Sequence, residues 1–204
     1  MTNESDLTPE VDETDLWVVP EAPTISEDPA GPSATLFRIS VILTGGTISK
    51  TYDQRTAVLA NEEPVAKRLI QGLHINGAKI KLRELLNKDS LELTEEDSAL
   101  IVKTVALSAR RNDAVVVVHG TDRMSETADH LVEALPDLSV PVILTGAMTP
   151  AVIEGSDGRQ NLTEALFAAR LLTPGVYIVF HGQALRCPGV EKDPEAMTFR
   201  RALG

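Results

Sequence analysis

The chain has 204 residues, 43% of them hydrophobic, which suits one globular domain with a core of ordinary size. Its formal charge is −11, but nine of the 30 acids precede the first basic residue, Arg38, which leaves 21 acids against 19 bases in residues 36–204. Because that part is nearly neutral, at −2, its composition argues against nucleic acid as the main partner and against a membrane surface.

The first 35 residues differ from the rest of the chain. They hold those nine acids and five of the twelve prolines, without sustained hydrophobic periodicity, so we predict a disordered acidic tail over residues 1–35. The apolar cluster LWVV at residues 16–19 contains the only tryptophan, Trp17. Two interpretations stay open: an arm that packs loosely on its own domain, or a short linear motif for a partner.

From Phe37 onward, short β-branched runs alternate with amphipathic segments of helical length, which is typical of βαβ units and a parallel sheet. We predict strands at residues 38–43, 79–85, 114–118, 140–144 and 176–180, and helices at residues 62–71, 95–110, 125–135 and 157–172. Thr94 and Asp97 are expected to form a capping pair at the second helix. The predicted fold class of domain 36–204 is α/β, a three-layer parallel sheet flanked by helices, flavodoxin- or Rossmann-like.

The single cysteine, Cys187, permits no intrachain disulfide and favours a reducing compartment. The N-terminus shows no basic region followed by an apolar one, and no apolar run approaches the ~20 residues of a transmembrane helix. We therefore expect a cytoplasmic protein with no membrane partner. Cys187 itself has no neighbouring motif and is interpreted as incidental.

Glycine-containing turns follow the predicted strands, where ligands bind in open parallel sheets. These turns are TGGT at residues 44–47, HGTD at 119–122, TGAMT at 145–149 and HG at 181–182. Glycine lets the backbone approach a ligand closely and can leave N–H groups free for an anion or oxyanion. A threonine hydroxyl is a weak nucleophile until a base removes its proton, and Tyr52, Asp122 and Lys192 are candidate partners.

Four stretches carry a family resemblance: ILTGGTIS (42–49), VVVVHGTDRMSETADHL (115–131), VPVILTGAMTP (140–150) and SDGRQNLTEAL (156–166). In this order they resemble the signature regions of the bacterial-type L-asparaginase family, specifically its N-terminal domain. The resemblance covers residues 38 to about 199. It places the chain among short, single-domain asparaginase-like proteins.

The resemblance implies a role for each matching residue. Thr47 matches the nucleophile, Tyr52 the loop tyrosine that activates it, and Ser90 in the DS motif the residue that holds the substrate's α-carboxylate. Thr121 and Asp122 match the second threonine and the aspartate that contacts the α-amino group, and Lys192 matches the family's lysine. The implied site is therefore catalytic at Thr47, Tyr52, Thr121, Asp122 and Lys192 and substrate-binding at Asp89, Ser90, Gly46 and Gly120.

Structural alternatives stay open for several of these residues. Thr121 and Asp122 could cap the helix that begins near Ser125, and for Asp157 the cap interpretation is preferred. Lys192 could be merely solvated. His119 and His181 follow strands, but single histidines without ligand spacing give weak support for a metal, so no metal or cofactor is expected.

The predicted function is hydrolysis of a small side-chain amide, such as L-asparagine to aspartate and ammonia, with Thr47 as nucleophile. The alternative is a weakly active or inactive module that binds a small amino acid or amide. A nucleotide binder is disfavoured because no glycine-rich turn leads into a helix as a P-loop would. Because family enzymes have a second domain that completes a neighbouring subunit's site, we expect this chain to form a homodimer or higher oligomer.

Overall fold

The computed structural model describes residues 36–61 and 65–202. The predicted disordered tail, with Trp17, lies outside these residues. The described strands are β1 (Phe37–Gly45), β2 (Thr51–Asp53), β3 (Val58–Ala60), β4 (Ala78–Lys88), β5 (Ala114–Val118), β6 (Pro141–Thr145), β7 (Gly175–Phe180), β8 (Gln183–Arg186), β9 (Val190–Asp193) and β10 (Thr198–Arg201). The described α-helices are α1 (Val65–Gln71), α2 (Glu95–Ala109), α3 (Met124–Ala134) and α4 (Gly158–Ala168).

Six strands form one sheet in the order β4-β1-β5-β6-β7-β8. The first five are parallel, which confirms the predicted α/β class, but β8 runs antiparallel to β7. The sheet is therefore mixed rather than wholly parallel. A two-residue turn, His181-Gly182, reverses the chain between β7 and β8, and both residues have positive φ, 46° and 77°. Such a short connection can join only antiparallel strands.

Helices cover both faces of the sheet, and the sheet separates the core into two clusters. One contains Ile101 and Val105 of α2 with Leu131 of α3, and the other contains Ile70 of α1 with Leu162 of α4. Strand β5 is buried at every position, with Val115 and Val117 in the first cluster and its other three residues in the second. A central strand that contributes to both clusters explains the continuous apolar run in the sequence.

The predicted strands are all present, with ends that differ by up to three residues. The capping box is confirmed: the Asp97 N–H donates to Thr94 Oγ1 at 3.2 Å and the Thr94 N–H to Asp97 Oδ2 at 3.0 Å. Helix α4 ends four residues before the predicted end. The sequence did not predict β8 or the two small hairpins, β2–β3 and β9–β10. Among the described helices, none is both long and apolar enough to cross a bilayer.

Candidate active site

Three residues implied by the resemblance lie at the carboxyl ends of three neighbouring strands. Strands β4, β1 and β5 are adjacent in the sheet, and Ser90, Thr47 and Thr121 follow them in that order. Each is the first residue of a single 3-10 turn, Ser90–Glu92, Thr47–Ser49 and Thr121–Arg123. The sheet order therefore brings together three segments that are separated by 31 to 74 residues of sequence.

Gly46 and Gly120 hold these turns in direct contact. A Cβ on Gly46 would lie 2.5 Å from the Gly120 nitrogen and closer still to its Cα, and one on Gly120 would lie 2.6 Å from Ser90 Oγ. Gly46 also has φ 82° and donates its N–H to the Lys88 carbonyl at 2.9 Å. Only glycine combines this conformation with this approach, so the glycines set the spacing between Thr47, Thr121 and Ser90.

Lys192 reaches this edge of the sheet from β9. Its ammonium donates hydrogen bonds to Thr121 Oγ1 at 2.9 Å and to Asp122 Oδ1 at 2.8 Å. The Lys192 side chain is 23% exposed and Thr121 only 2%. The interpretation of Lys192 as a merely solvated lysine is therefore wrong, because a strand that the sequence did not predict delivers it to the hydroxyl.

The hairpin that carries Lys192 is fixed by apolar packing. Lys192 pairs in register with Phe199, which is 1% exposed and joins the first core cluster. The rings of Phe199 and Phe180 meet edge to face, with centroids 5.1 Å apart. Val190 is buried in the same cluster. This anchoring holds a polar four-residue strand against the sheet.

Neither Thr121 nor Asp122 caps helix α3. The helix begins at Met124 after Arg123, and no side chain makes a capping hydrogen bond there. The Asp122 carboxylate instead pairs with Lys192, and the Asp122 side chain is 41% exposed. The cap interpretation of these two residues is wrong, since both side chains point to the lysine.

Ser90 is 1% exposed, and its hydroxyl oxygen has no hydrogen-bond partner among the described residues. A buried, unpaired hydroxyl is costly unless another group satisfies it. Because Ser90 touches Gly120, this free hydroxyl belongs to the same cluster as Thr121. Its unmet hydrogen-bonding capacity makes it a candidate contact for a polar group of a bound molecule.

Asp89 is held by Lys50, a residue that the sequence reasoning gave no role. The Lys50 ammonium lies 2.6 Å from Asp89 Oδ2, and the Leu91 N–H donates to Asp89 Oδ1 at 3.1 Å. Partial burial alone would raise the pKa of Asp89, but the hydrogen bonds from Lys50 and Leu91 and the charges of Lys50 and Lys192 lower it below its ordinary value.

Tyr52 occupies a different environment from the other site residues. It lies in β2, pairs in register with Leu59 of β3, and is 59% exposed. The structure shows no hydrogen bond from its phenol to Thr47. Thr47 itself is half-buried. Of the predicted catalytic residues, the geometry thus joins Thr121, Asp122 and Lys192 by direct bonds and places Thr47 beside them through the glycine contact.

Asp157 stands at the N-cap position of α4, but its side chain makes no capping bond, so that interpretation is wrong. Its carboxylate accepts the N–H groups of Met148 and Thr149 at 2.9–3.1 Å, and it contacts Asn161 Nδ2 and His181 Nε2, both at 2.9 Å. Burial would raise the pKa of Asp157, but these hydrogen bonds lower it. Asp157 therefore ties the turn after β6 to the end of β7.

The other residues considered in the sequence have structural partners. His119 is buried, with Nδ1 2.8 Å from the Gly120 carbonyl and Nε2 3.1 Å from Thr127 Oγ1, and burial lowers its pKa. No group of three His, Cys, Asp or Glu residues in the described part of the chain could hold a metal ion. Burial raises the pKa of Cys187 to about 12, which keeps this thiol protonated and unreactive.

Comparisons with known proteins agree with the resemblance in the sequence. An L-asparaginase of Thermococcus kodakarensis is 35% identical over 146 residues, covering 71% of this chain and 44% of the relative. A solved structure, the thermostable L-asparaginase from the same organism, gives a TM-score of 0.71 at 29% identity, covering 81% of this chain and 51% of that one. One of the subunits of a glutamyl-tRNA(Gln) amidotransferase, from Pyrococcus horikoshii, is 34% identical over 149 residues, covering 71% of this chain and 34% of the relative.

The chain thus spans about half, or less, of the length of the relatives it matches. Residues 38–197 match the family model described as asparaginase, N-terminal. With this match, a solved structure of the same fold and a relative at 35% identity, the chain belongs to the asparaginase family and corresponds to its N-terminal domain.

Proposed function

We propose that the chain is an amidohydrolase in which the Thr47 hydroxyl attacks the carbon of a small side-chain amide. The new C–O bond gives an acyl-enzyme, the amide nitrogen takes a proton and leaves as ammonia, and water then hydrolyses the ester. The observation that carries this proposal is the contact of Lys192 with both Thr121 and Asp122 beside the Gly46–Gly120 contact. A hydrogen-bonded lysine, threonine and carboxylate can move a proton to and from reacting atoms.

The remaining residues would position the substrate. The unpaired Ser90 hydroxyl can donate to an α-carboxylate, and Asp122 can accept from an α-ammonium group. Gly46 and Gly120 keep the backbone close enough for Thr47 to meet the amide carbon. Asp89 is already paired with Lys50, so its contribution would be to fix the Ser90 turn. Tyr52 would activate Thr47 only if the β2–β3 hairpin closes over the site.

The amide could be that of asparagine or of glutamine, because the relatives include proteins named L-asparaginase and a component of a glutamyl-tRNA(Gln) amidotransferase. Ammonia release from each amino acid tests the proposal directly. Thr47→Ala should abolish release while the thermal unfolding midpoint stays within a few degrees, because the change removes one half-buried hydroxyl. A variant that retains half of the activity would show that Thr47 is not the nucleophile.

The alternative is a module that binds such a molecule without turnover. Ligand-induced thermal shift separates the two functions, since stabilisation by asparagine without ammonia release would contradict the enzyme. Self-association belongs to the same proposal: the Asp122 side chain is 41% exposed beside Lys192, and a neighbouring subunit could exclude water from it. A strictly monomeric protein in light scattering, with ordinary efficiency, would contradict that part.

A further inference from the structure

A basic groove lies beside the edge strand β4, on the sheet face that α2 covers. Its volume is about 320 Å³. Lys79, Lys81 and Arg83 alternate along β4 and so project from one face of the strand. Arg38 of β1 pairs in register with Lys79, and Arg111, just after α2, also lines the cavity. We call these five cations and the cavity between them the basic groove.

The groove carries an excess of positive charge that the described residues leave unbalanced. Arg38 is neutralised by Asp113, which it contacts at 2.8 Å and 3.2 Å. The other four cations have no carboxylate partner within residues 36–61 and 65–202. No carboxylate lines the cavity. Four like charges on one short surface repel one another, and a polyanionic segment would relieve that repulsion.

The chain itself supplies such a segment immediately before the groove. Residues 1–35 contain nine carboxylates and no lysine or arginine, and they join directly to Leu36, the residue before β1. Asp28 is ten residues before Arg38 and can therefore lie up to ~35 Å from it, whereas residues 79–83 span only about 13 Å. The acidic residues can therefore reach every cation of the groove.

We propose that the acidic N-terminal segment, residues 1–35, binds the basic groove of its own chain. Covalent attachment gives the segment a local concentration in the millimolar range, which a separate polyanionic chain does not have. The nine acids of the segment also repel an external polyanion such as nucleic acid from the neighbouring groove, whereas residues 36–204 oppose the segment itself with a net charge of only −2. Leu107, 47% exposed at the groove wall, offers an apolar contact for Trp17 and its neighbours.

The single tryptophan makes this binding measurable in the full chain, because Trp17 lies within the segment. Its fluorescence anisotropy should fall when NaCl is raised from about 20 mM to about 500 mM, since salt screens the attraction. The double variant Lys81→Glu/Arg83→Glu should show the low value already at low salt. Both positions are exposed, so the fold should tolerate the change. The double variant Lys103→Glu/Arg159→Glu alters the charge equally at exposed positions outside the groove and should keep the salt response.

Carbodiimide cross-linking of the wild-type chain gives an independent test. Carboxylates of residues 1–35 should couple to Lys79 and Lys81, with a yield that is independent of protein concentration and drops about tenfold at high salt. Coupling spread evenly over the exposed lysines would overturn the proposal. So would a Trp17 anisotropy that is equal in the wild type and the groove variant. Yields that rise in proportion to protein concentration would assign the groove to the acidic segment of another copy, and would also overturn it.

Discussion

Replacing Lys192 by methionine removes its charge while keeping most of its length. Two hydrogen bonds are lost, to Thr121 at 2.9 Å and to Asp122 at 2.8 Å. Because Thr121 is 2% exposed, its hydroxyl loses a buried partner, which costs about 1–3 kcal/mol. The pair with Asp122 adds little, since half-exposed ion pairs contribute about 0–1 kcal/mol. The total of about 1–4 kcal/mol should lower the thermal midpoint by about 2–16 °C.

The loss of transition-state stabilisation should be at least as large as this loss of stability. If Lys192 moves or holds a proton in the reaction, kcat/KM for ammonia release should fall by about 10²–10⁴-fold. That loss corresponds to about 3–5 kcal/mol of transition-state stabilisation. Thr121→Val should have a similar effect, and the double variant should lose little more, because the two residues act through one contact.

The measurement is a coupled ammonia assay on each variant below its melting temperature. Lys103→Met, which changes an exposed lysine of α2, is the matched control and should leave activity and midpoint unchanged. A Lys192→Met protein that melts cooperatively and loses less than about tenfold in kcat/KM would refute the reasoning. Lys192 would then only hold the β9–β10 hairpin in place.

Three further predictions concern stability and reactivity. Gly120→Ala should destabilise by about 1–3 kcal/mol, because its Cβ would lie 2.6 Å and 2.7 Å from the oxygen and Cβ of Ser90; Ser90→Gly in the same chain should restore part of the denaturation midpoint. Burial lowers the pKa of His119. As the pH is lowered below ~6.5, the unfolded chain therefore binds a proton that the folded chain does not, and the free energy of unfolding should fall by up to about 1.4 kcal/mol for each pH unit. A His119→Asn chain should lose that slope in urea titrations. Maleimide labelling of Cys187 at pH ~8 should be at least ~10³-fold slower in the folded than in the unfolded chain, and equal rates would contradict its burial.

The central strands were predictable because burial on both sheet faces requires a continuous run of apolar residues. Strand β5 is apolar at all five positions and was predicted with both ends correct. Strands β9 and β10 have four residues each, VEKD and TFRR, in which only Val190 and Phe199 are buried. So short a pattern does not distinguish a strand from a loop. What fixes β9 is the packing of Phe199 on Phe180, a contact that the sequence does not reveal.

The sequence supplied the candidate site residues as a set but did not predict their contacts. The family resemblance implied Thr121, Asp122 and Lys192. A hydroxyl or a carboxylate just before a helix can, however, serve either to cap the helix or to take part in catalysis. The choice depends on where each side chain points. For Asp157, the cap interpretation failed because Met148 and Thr149, from another loop, present their N–H groups to it. Lys50 was missed because an ion pair with Asp89 leaves no periodic signal.

The contact between Thr121 and Lys192 joins residues 71 positions apart, and this separation has a consequence during synthesis. A ribosome adds about 5–20 residues per second, so Thr121 is made some 4–14 s before Lys192. Through that interval the nascent chain already has β1, β4 and β5 but not the lysine. Under the proposed chemistry, a growing polypeptide is therefore inert toward cellular amides, and hydrolysis starts only after the β9–β10 hairpin has emerged and Phe199 has packed.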